Sequence, residues 1–221
     1  GDTLWDSTVG VLRRCYREGR ASIDGYCEDY AFVIWGLLEL FQSTGNPEWL
    51  VFARQLQSKQ DELFWDGAEG GWYSTTGQDS SVLLRVKDDY DGAEPSAGSV
   101  SVLNLLTFTH LDADADAVRK AEKALARFGL ELGHTARMFP LMTAALAQYH
   151  TGLTQVVILG PPGRADTADL IEVLRSVYLP FSVMVHVQPG SQQVTLAQHL
   201  PFTGTMTMLD GKATAYLCTG F

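Results

Sequence analysis

Two short stretches of this 221-residue chain place acidic side chains just before apolar segments. Glu28 and Asp29 precede the first apolar segment, and Asp88 and Asp91 precede the second. Paired carboxylates can act as acid and base on a glycosidic bond. A separation of about 5.5 Å suits a retaining mechanism and about 6.5–9.5 Å an inverting one. These four acids are therefore the candidate catalytic residues.

Further polar and aromatic residues surround the second pair of acids. A lysine there could orient an anionic group or shift a carboxylate pKa, and aromatic rings could stack on a sugar. The candidate ligand-binding residues are Lys87, Tyr90, Ser96, Ser99 and Trp72. The alternative is structural, because acids at helix starts commonly cap helices, and Trp65 and Trp72 suit the core of a hairpin.

Helices are expected to position the first stretch. Residues 30–41 are almost all apolar, which predicts a helix buried on all sides and capped by Asp24. Gly45 can end this helix and Pro47 can begin the next. In this amphipathic helix, residues 47–64, the expected inward side chains are Leu50, Ala53, Leu56 and Leu63, and the expected outward ones are Arg54, Gln57 and Lys59.

Residues 1–22 suggest the tail of a helix followed by a strand pair.

The second stretch follows a region with alternating apolar residues. The alternation of Trp72, Tyr73, Val82, Leu84 and Val86 around a turn near residues 76–79 predicts a β-hairpin. A buried helix is expected from Pro95-Ser96 onward, and a third helix over about 135–149. Between them, three- and four-residue spacing predicts an outer helix with an inward face of Val118, Ala121, Leu125, Phe128 and Leu132.

The sequence pattern changes at Thr154. Strand-like residues 155–160, a helical stretch over 165–178 and a strand-like stretch over 181–187 predict a small α/β appendage, with a further strand over 213–218. The predicted boundary divides the chain into residues 1–153 and 154–221. Gly160-Pro161-Pro162-Gly163 is interpreted as a turn, since it lacks the lysine and spacing of a phosphate-binding loop.

A long repeat links these elements. Leu4-Trp5-Asp6 and Phe64-Trp65-Asp66 lie about 60 residues apart, and a long apolar run follows each. This spacing suggests a repeated unit of strand pair, buried helix and outer helix. Such units stack because none can bury its apolar face alone.

Composition excludes several classes of protein. The net charge of −10 disfavours nucleic-acid and anionic-membrane surfaces, which reward basic residues. No apolar run approaches the roughly 20 residues of a bilayer span, and no leader peptide is evident at the start. These features predict a soluble chain, with an intracellular location favoured.

No metal site or cofactor is expected. Asp112, Asp114 and Asp116 mimic the start of a calcium loop but lack its glycine and final glutamate, so a helix-capping role is preferred. The three cysteines, Cys15, Cys27 and Cys218, lack metal-ligand spacing and are interpreted as free thiols. A disulfide or redox role for Cys218 is the alternative.

The two acidic stretches also resemble a known family. The segments Glu28-Asp29-Tyr30-Ala31-Phe32 and 87–100 are similar to those of the spermatogenesis-associated thioredoxin-like proteins, which also occur in bacteria. Residues 17–21, 64–66 and 213–218 match as well, so the resemblance covers essentially the whole chain. One departure is Gly98, which stands where the family has an asparagine.

The resemblance implies a larger protein. Family members carry an N-terminal thioredoxin-like domain and an (α/α)6 toroid similar to six-hairpin glycosidases and sugar epimerases. The expected fold is therefore mainly α: a partial toroid of helical hairpins with short β-hairpins, followed by the small α/β tail. The five histidines lie outside the matched motifs, which disfavours epimerisation: His110, His134, His150, His186 and His199.

Two functions are consistent with these patterns. The first is a carbohydrate-directed acidic pocket that hydrolyses or binds a sugar-like small molecule. The second is a non-catalytic scaffold that positions the thioredoxin-like domain or a protein partner. Half a toroid would leave apolar helix surface uncovered, so either function predicts contact with the missing segments or with a companion chain.

Overall fold

The computed structural model describes residues 4–78, 80–112 and 114–219. About 53% of the chain is helical, which confirms the expectation of a mainly α protein. The α-helices are α1 (Cys27–Thr44), α2 (Pro47–Phe64), α3 (Ala97–Asp112), α4 (Ala115–Thr135), α5 (Pro140–Thr151), α6 (Ala165–Ser176) and α7 (Ser191–Ala197). The strands are β1 (Trp5–Asp6), β2 (Val11–Arg17), β3 (Arg20–Asp24), β4 (Thr154–Leu159), β5 (Ser182–Val187) and β6 (Thr214–Cys218).

The chain enters α1 from an antiparallel sheet of strand order β1-β2-β3. The predicted strand pair is present, with Arg13 opposite Asp24 and Arg17 opposite Arg20. The predicted helix tail before it is wrong for the described residues, because β1 and a turn occupy that stretch.

The ends of α1 follow from local chemistry. Asp24 does not cap this helix as expected, because its carboxylate pairs with Arg13. Instead, the backbone N–H of Tyr26 donates to Oδ2 of Asp29 at 2.8 Å. Gly45 ends α1 as predicted, with a φ of 68° that only glycine adopts without strain.

Helix α2 packs beside α1 as a helical hairpin. Pro47 occupies its first turn, and the Asn46 side chain accepts the N–H of Glu48 at 3.1 Å. Gln57 was expected to face solvent, but it is buried. Its Nε2 donates to Gln60 at 3.2 Å and to Asp61 at 3.0 Å, and these hydrogen bonds offset the cost of burying a polar side chain.

The predicted hairpin is absent from the described residues between 65 and 96. Within the described residues, one antiparallel bridge joins Trp65 to Trp72, and the backbone N–H of Ser74 reaches the carbonyl of Val86 at 2.8 Å. Leu83 and Leu84 are 98% and 76% exposed. The alternation fails to produce a strand pair there because the apolar side chains of its second half, Leu84 and Val86, are exposed and not covered by a packed layer.

The α3–α4 pair forms a second helical hairpin, and α3 also contacts α1 and α5. Asp114 caps α4 as expected, accepting the N–H groups of Asp116 and Ala117. The predicted inward face is confirmed for Ala121, Leu125, Phe128 and Leu132, which are buried. The expected third helix begins later, at Pro140, after a 3₁₀ turn over Ala136–Met138.

The last third of the chain adds a three-stranded sheet of order β5-β4-β6. Strands β4 and β5 are parallel, with α6 connecting them, and β6 is antiparallel to β4. The strand, helix and strand expected over 155–187 are therefore present, and the glycine-proline segment before α6 is a turn. Val157, Val183 and Val185 belong to the same apolar core as α1 and α3.

Candidate functional site

The predicted site residues lie in the first turns of α1 and α3 and in the stretch between α2 and α3. The chain around residue 74 bridges toward α1, since the N–H of Cys27 donates to the carbonyl of Ser74 at 3.1 Å. Asp91 nevertheless has different partners from Glu28 and Asp29, and these contacts limit the chemistry that the three acids could perform.

Glu28 and Asp29 share one arginine. Nη1 of Arg14 lies 2.6 Å from Oε1 of Glu28 and 2.9 Å from Oδ2 of Asp29. The hydrogen bond to Glu28 raises the pKa of Arg14, so the guanidinium stays charged. The same Asp29 oxygen also accepts the N–H of Tyr26. One guanidinium is therefore shared between two carboxylates and offsets one of their two charges, and Asp29 stabilises the start of α1.

Asp91 is buried and fully engaged by backbone amides. Its Oδ1 accepts the N–H of Ser96 at 2.9 Å. Its Oδ2 accepts the N–H groups of Leu141 at 2.8 Å and Met142 at 3.2 Å. The carboxylate thus satisfies donors in the first turn of α5 and ties the start of α3 to that helix.

Ser96 and Ser99 form a helix cap. Both are buried, their hydroxyl oxygens lie 2.9 Å apart, and the N–H of Ser99 donates to the Ser96 hydroxyl at 3.2 Å. This is the arrangement of an N-terminal serine cap on α3. The hydroxyls face each other and the helix end, not solvent.

Lys87 lies in a buried ion pair that the sequence did not predict. Its Nζ is 2.7 Å from Oδ2 of Asp66 and 2.8 Å from the carbonyl of Gly70. The Tyr73 hydroxyl donates to the same Asp66 oxygen at 2.8 Å. Lys87 holds the pKa of Asp66 well below its usual range, with Tyr73 adding to the effect, and Asp66 in turn raises the pKa of Tyr73.

Asp89 is a second residue that sequence reasoning missed. Its Oδ2 lies 2.5 Å from Nη2 of Arg127 on α4, and burial raises the pKa of this aspartate. The signal was present in the sequence, since Asp89 stands between Asp88 and Asp91. Asp88 and Tyr90, which were predicted, are exposed on the same stretch.

The predicted stacking residue Trp72 is only 3% exposed. Its ring packs edge-on against Trp65 at a centroid distance of 4.9 Å, and its Nε1 donates to Oδ1 of Asp61 at 2.9 Å. Burial therefore leaves its ring without a free face for a ligand.

A cavity of about 360 Å³ lies beside the start of α1. Its lining residues are Ile23, Asp24, Gly25, Tyr26, Thr75, Thr76, Gln78 and Val82. The hydroxyl of Thr75 is buried and has no hydrogen-bond partner within the described chain. Ile23 adopts a φ of 62°, which is rare for a β-branched residue. None of these lining residues was among the predicted ligands.

Several histidine and cysteine side chains are held by hydrogen bonds or affected by burial. His110 lies 2.8 Å from the Leu106 carbonyl through Nδ1, and its Nε2 accepts the N–H of Leu153 at 3.1 Å. Burial lowers the pKa of His186 and raises that of the Cys27 thiol to about 12. Cys15, Cys27 and Cys218 are free thiols.

Across 4–78, 80–112 and 114–219, no group of three or more His, Cys, Asp or Glu residues is arranged to hold a metal ion. Over that same part of the chain, no helix is long and apolar enough to cross a bilayer.

These features define a mainly α protein built from helical hairpins, a mixed sheet and capped helix entrances. No protein-family profile matches the chain. Its sequence is similar to spermatogenesis-associated protein 20 of Homo sapiens, with 37% identity over 224 residues, which cover 97% of this chain and 28% of that protein. The protein of the same name from Rattus norvegicus is 35% identical over the same fractions.

A third relative is an uncharacterized protein of Caenorhabditis elegans, 30% identical over 92% of this chain and 27% of its own length. The name of these homologues, spermatogenesis-associated protein 20, agrees with the family resemblance that the two acidic stretches show. The chain spans little more than a quarter of the length of these relatives.

Proposed function

We propose that this chain is a non-catalytic scaffold. In this proposal, its helical hairpins form part of an (α/α)6 toroid that docks against further helices and positions a thioredoxin-like domain or a protein partner. The names of the homologues support the family assignment behind this idea, and their greater length leaves room for the further helices.

The observation that carries the proposal is an uncovered apolar stripe on α1. Val33, Gly36 and Leu40 recur at three- and four-residue spacing, and the two larger side chains are 38% and 44% exposed. A Cβ built on Gly36 would meet no atom within 4 Å, so a second helix could approach closely there. A helix this apolar on every side is normally covered on every side.

The contacts of the predicted catalytic acids support the proposal that the chain is non-catalytic. Both carboxylate oxygens of Asp91 accept backbone N–H groups, and Glu28 and Asp29 share Arg14. A general acid or base needs an oxygen within reach of the substrate. Of the four candidates, Asp88 is exposed, and the Glu28 side chain is 39% exposed although it pairs with Arg14.

Self-association of the isolated chain tests the scaffold proposal. With the α1 stripe uncovered, the chain should associate with itself in sedimentation experiments as its concentration rises. The double variant Val33→Glu with Leu40→Glu should stay monomeric with an unchanged circular dichroism spectrum. A matched control is Val173→Glu, which changes an exposed apolar residue on α6 and should associate like the parent chain.

Two results would contradict the scaffold proposal. One is a parent chain that remains monomeric at every concentration. The other is an equal loss of association in the stripe variant and the Val173 control.

A second candidate function is carbohydrate binding without catalysis at the cavity beside α1. Its wall offers the unpartnered Thr75 hydroxyl together with the polar side chains of Asp24 and Gln78. Sugars need such a mixture of donors and acceptors. Saturation-transfer NMR with monosaccharides should give a signal that Thr75→Val removes and that Thr205→Val, on an exposed turn, does not.

A further inference from the structure

We propose that the groove between α2 and α4 binds a small, neutral, polyhydroxylated molecule. The groove encloses about 230 Å³ and lies over the second half of α3, away from the loops that precede α1 and α3. It is therefore separate from the cavity beside α1.

Three helices build the groove. Arg54, Gln57, Ser58 and Asp61 recur along one face of α2 and form one wall. Leu105 and Phe108 of α3 form an apolar floor, and Asp114, Asp116, Ala117 and Lys120 at the start of α4 form the other wall. Polar walls over an apolar floor are the usual composition of a small-molecule site.

The charges around the groove disfavour an ionic ligand. Lys120 Nζ lies 2.7 Å from both Asp61 Oδ2 and Asp116 Oδ2, and Arg54 pairs with Asp112. Both cations are thus already neutralised, while Asp114 caps α4. The four carboxylates outnumber the two cations, so an anion would be repelled. A cation would have to displace Arg54 or Lys120 from the carboxylates with which they already pair, whereas a neutral molecule leaves these ion pairs intact.

The unpaired polar atoms indicate the chemistry of the ligand. Within the described residues, Nε and Nη2 of Arg54 are buried donors without a partner, and Oε1 of Gln57 is a buried acceptor without one. Gln57 is 7% exposed, and its Nε2 already donates to Gln60 and Asp61, which fixes Oε1 as the unpaired atom. Buried polar atoms are nearly always paired in native proteins.

A hydroxyl group can satisfy both kinds of atom. One hydroxyl would accept from the Nε–Nη2 edge of Arg54, and a neighbouring hydroxyl would donate to Oε1 of Gln57. Adjacent hydroxyls on a compact ring fit this requirement, whereas a molecule with acceptors alone leaves Gln57 unpaired. The inference therefore specifies a polyol or sugar.

NMR titration of the isotope-labelled chain with myo-inositol tests the inference. The Nε–H signal of Arg54 and the amide signals of Ser58 and Ala117 should shift together and saturate. Arg54→Lys keeps the charge beside Asp112 but removes the guanidinium edge, so it should weaken binding by about tenfold or more. The control Arg20→Lys, on exposed β3, should bind like the parent chain.

Four outcomes would overturn the inference. They are the absence of any Arg54 shift near the solubility limit of myo-inositol, shifts confined to Thr75 and Thr76, a stronger response to inorganic phosphate, and equal effects of the two lysine variants. If Arg54→Lys does not fold, the Arg54 signal of the parent chain decides the question by itself.

Discussion

Asp66 and Lys87 form the most deeply buried ion pair among the described residues, with side chains 9% and 6% exposed. Asp66 also accepts the Tyr73 hydroxyl and the N–H groups of Ala68 and Glu69. One carboxylate therefore holds the turn after α2 against the stretch that leads to α3. Breaking such a pair leaves a buried charge without compensation.

The Asp66 carboxylate should make the stability of the chain depend on pH. Its pKa in the folded chain is lowered, chiefly by Lys87, below the value of about 3.9 in an unfolded chain. The stabilisation is therefore complete above that unfolded value and is lost as the pH falls toward the folded one. Urea unfolding should show the free energy of unfolding declining from about pH 5 to pH 3.

The variant Asp66→Asn isolates this contribution. It should be less stable than the parent chain by roughly 3 kcal/mol at pH 7 and should lose less stability on acidification. Glu62→Gln, which breaks the exposed pair with Lys59, should cost less than about 1 kcal/mol. Equal losses in the two variants at pH 7 would contradict this account.

At the scale of elements, the end of α1 is joined to β5. Gln42 accepts the N–H of Met184 at 3.0 Å, and the Gln192 side chain donates to the carbonyl of Gly45. A Cβ built on Gly45 would collide with the carbonyl oxygen of His186. Glycine is needed here both for its positive φ and for this close approach.

The variant Gly45→Ala should therefore be strongly destabilised. We expect a loss of roughly 3 kcal/mol, since backbone strain and overlap with a backbone atom add. Gly10→Ala is the matched control, because Gly10 has a similar φ of 63° but open space around its Cβ position. It should lose only about 1 kcal/mol. Urea denaturation measures both, and similar losses would show that the contact with β5 is unimportant.

At the scale of the whole molecule, the helices and the last sheet share one apolar core. Val157, Val183 and Val185 are buried in the same cluster as residues of α1 and α3. The boundary predicted between residues 153 and 154 is therefore crossed by packed side chains. This packing predicts that residues 1–153 and 154–221 unfold together.

A single cooperative unfolding transition is the expected behaviour. Val185→Ala should destabilise α1 and β5 alike by roughly 2 kcal/mol, because it opens a cavity in the shared core. Hydrogen exchange of peptides from both elements, followed in rising urea, measures this. Val194→Ala, at a side chain 66% exposed, is the control. If the amides of β5 exchange at lower urea concentration than those of α1, the result would instead support two separate domains.

Part of the candidate site was predictable from the sequence. The loops before α1 and α3, and the capping role of Asp114, follow from residue types within a few positions of a helix start. The partners of Asp91 and Lys87 were not predictable, because they lie 50 and 21 residues away in the chain. The failed hairpin shows the same limit, since alternation identifies a strand only where a core covers one face.

The sequence by itself determined where α1 ends and where α2 begins. The apolar run over 30–41, Gly45 and Pro47 act through the backbone conformation of their own neighbourhood. Tertiary structure alone decided what each polar side chain does. Packing of distant segments turned Asp91 into a cap for α5 and left Arg54 and Gln57 with unpaired atoms, and hydrogen-bond partners far apart in sequence are fixed only by that packing.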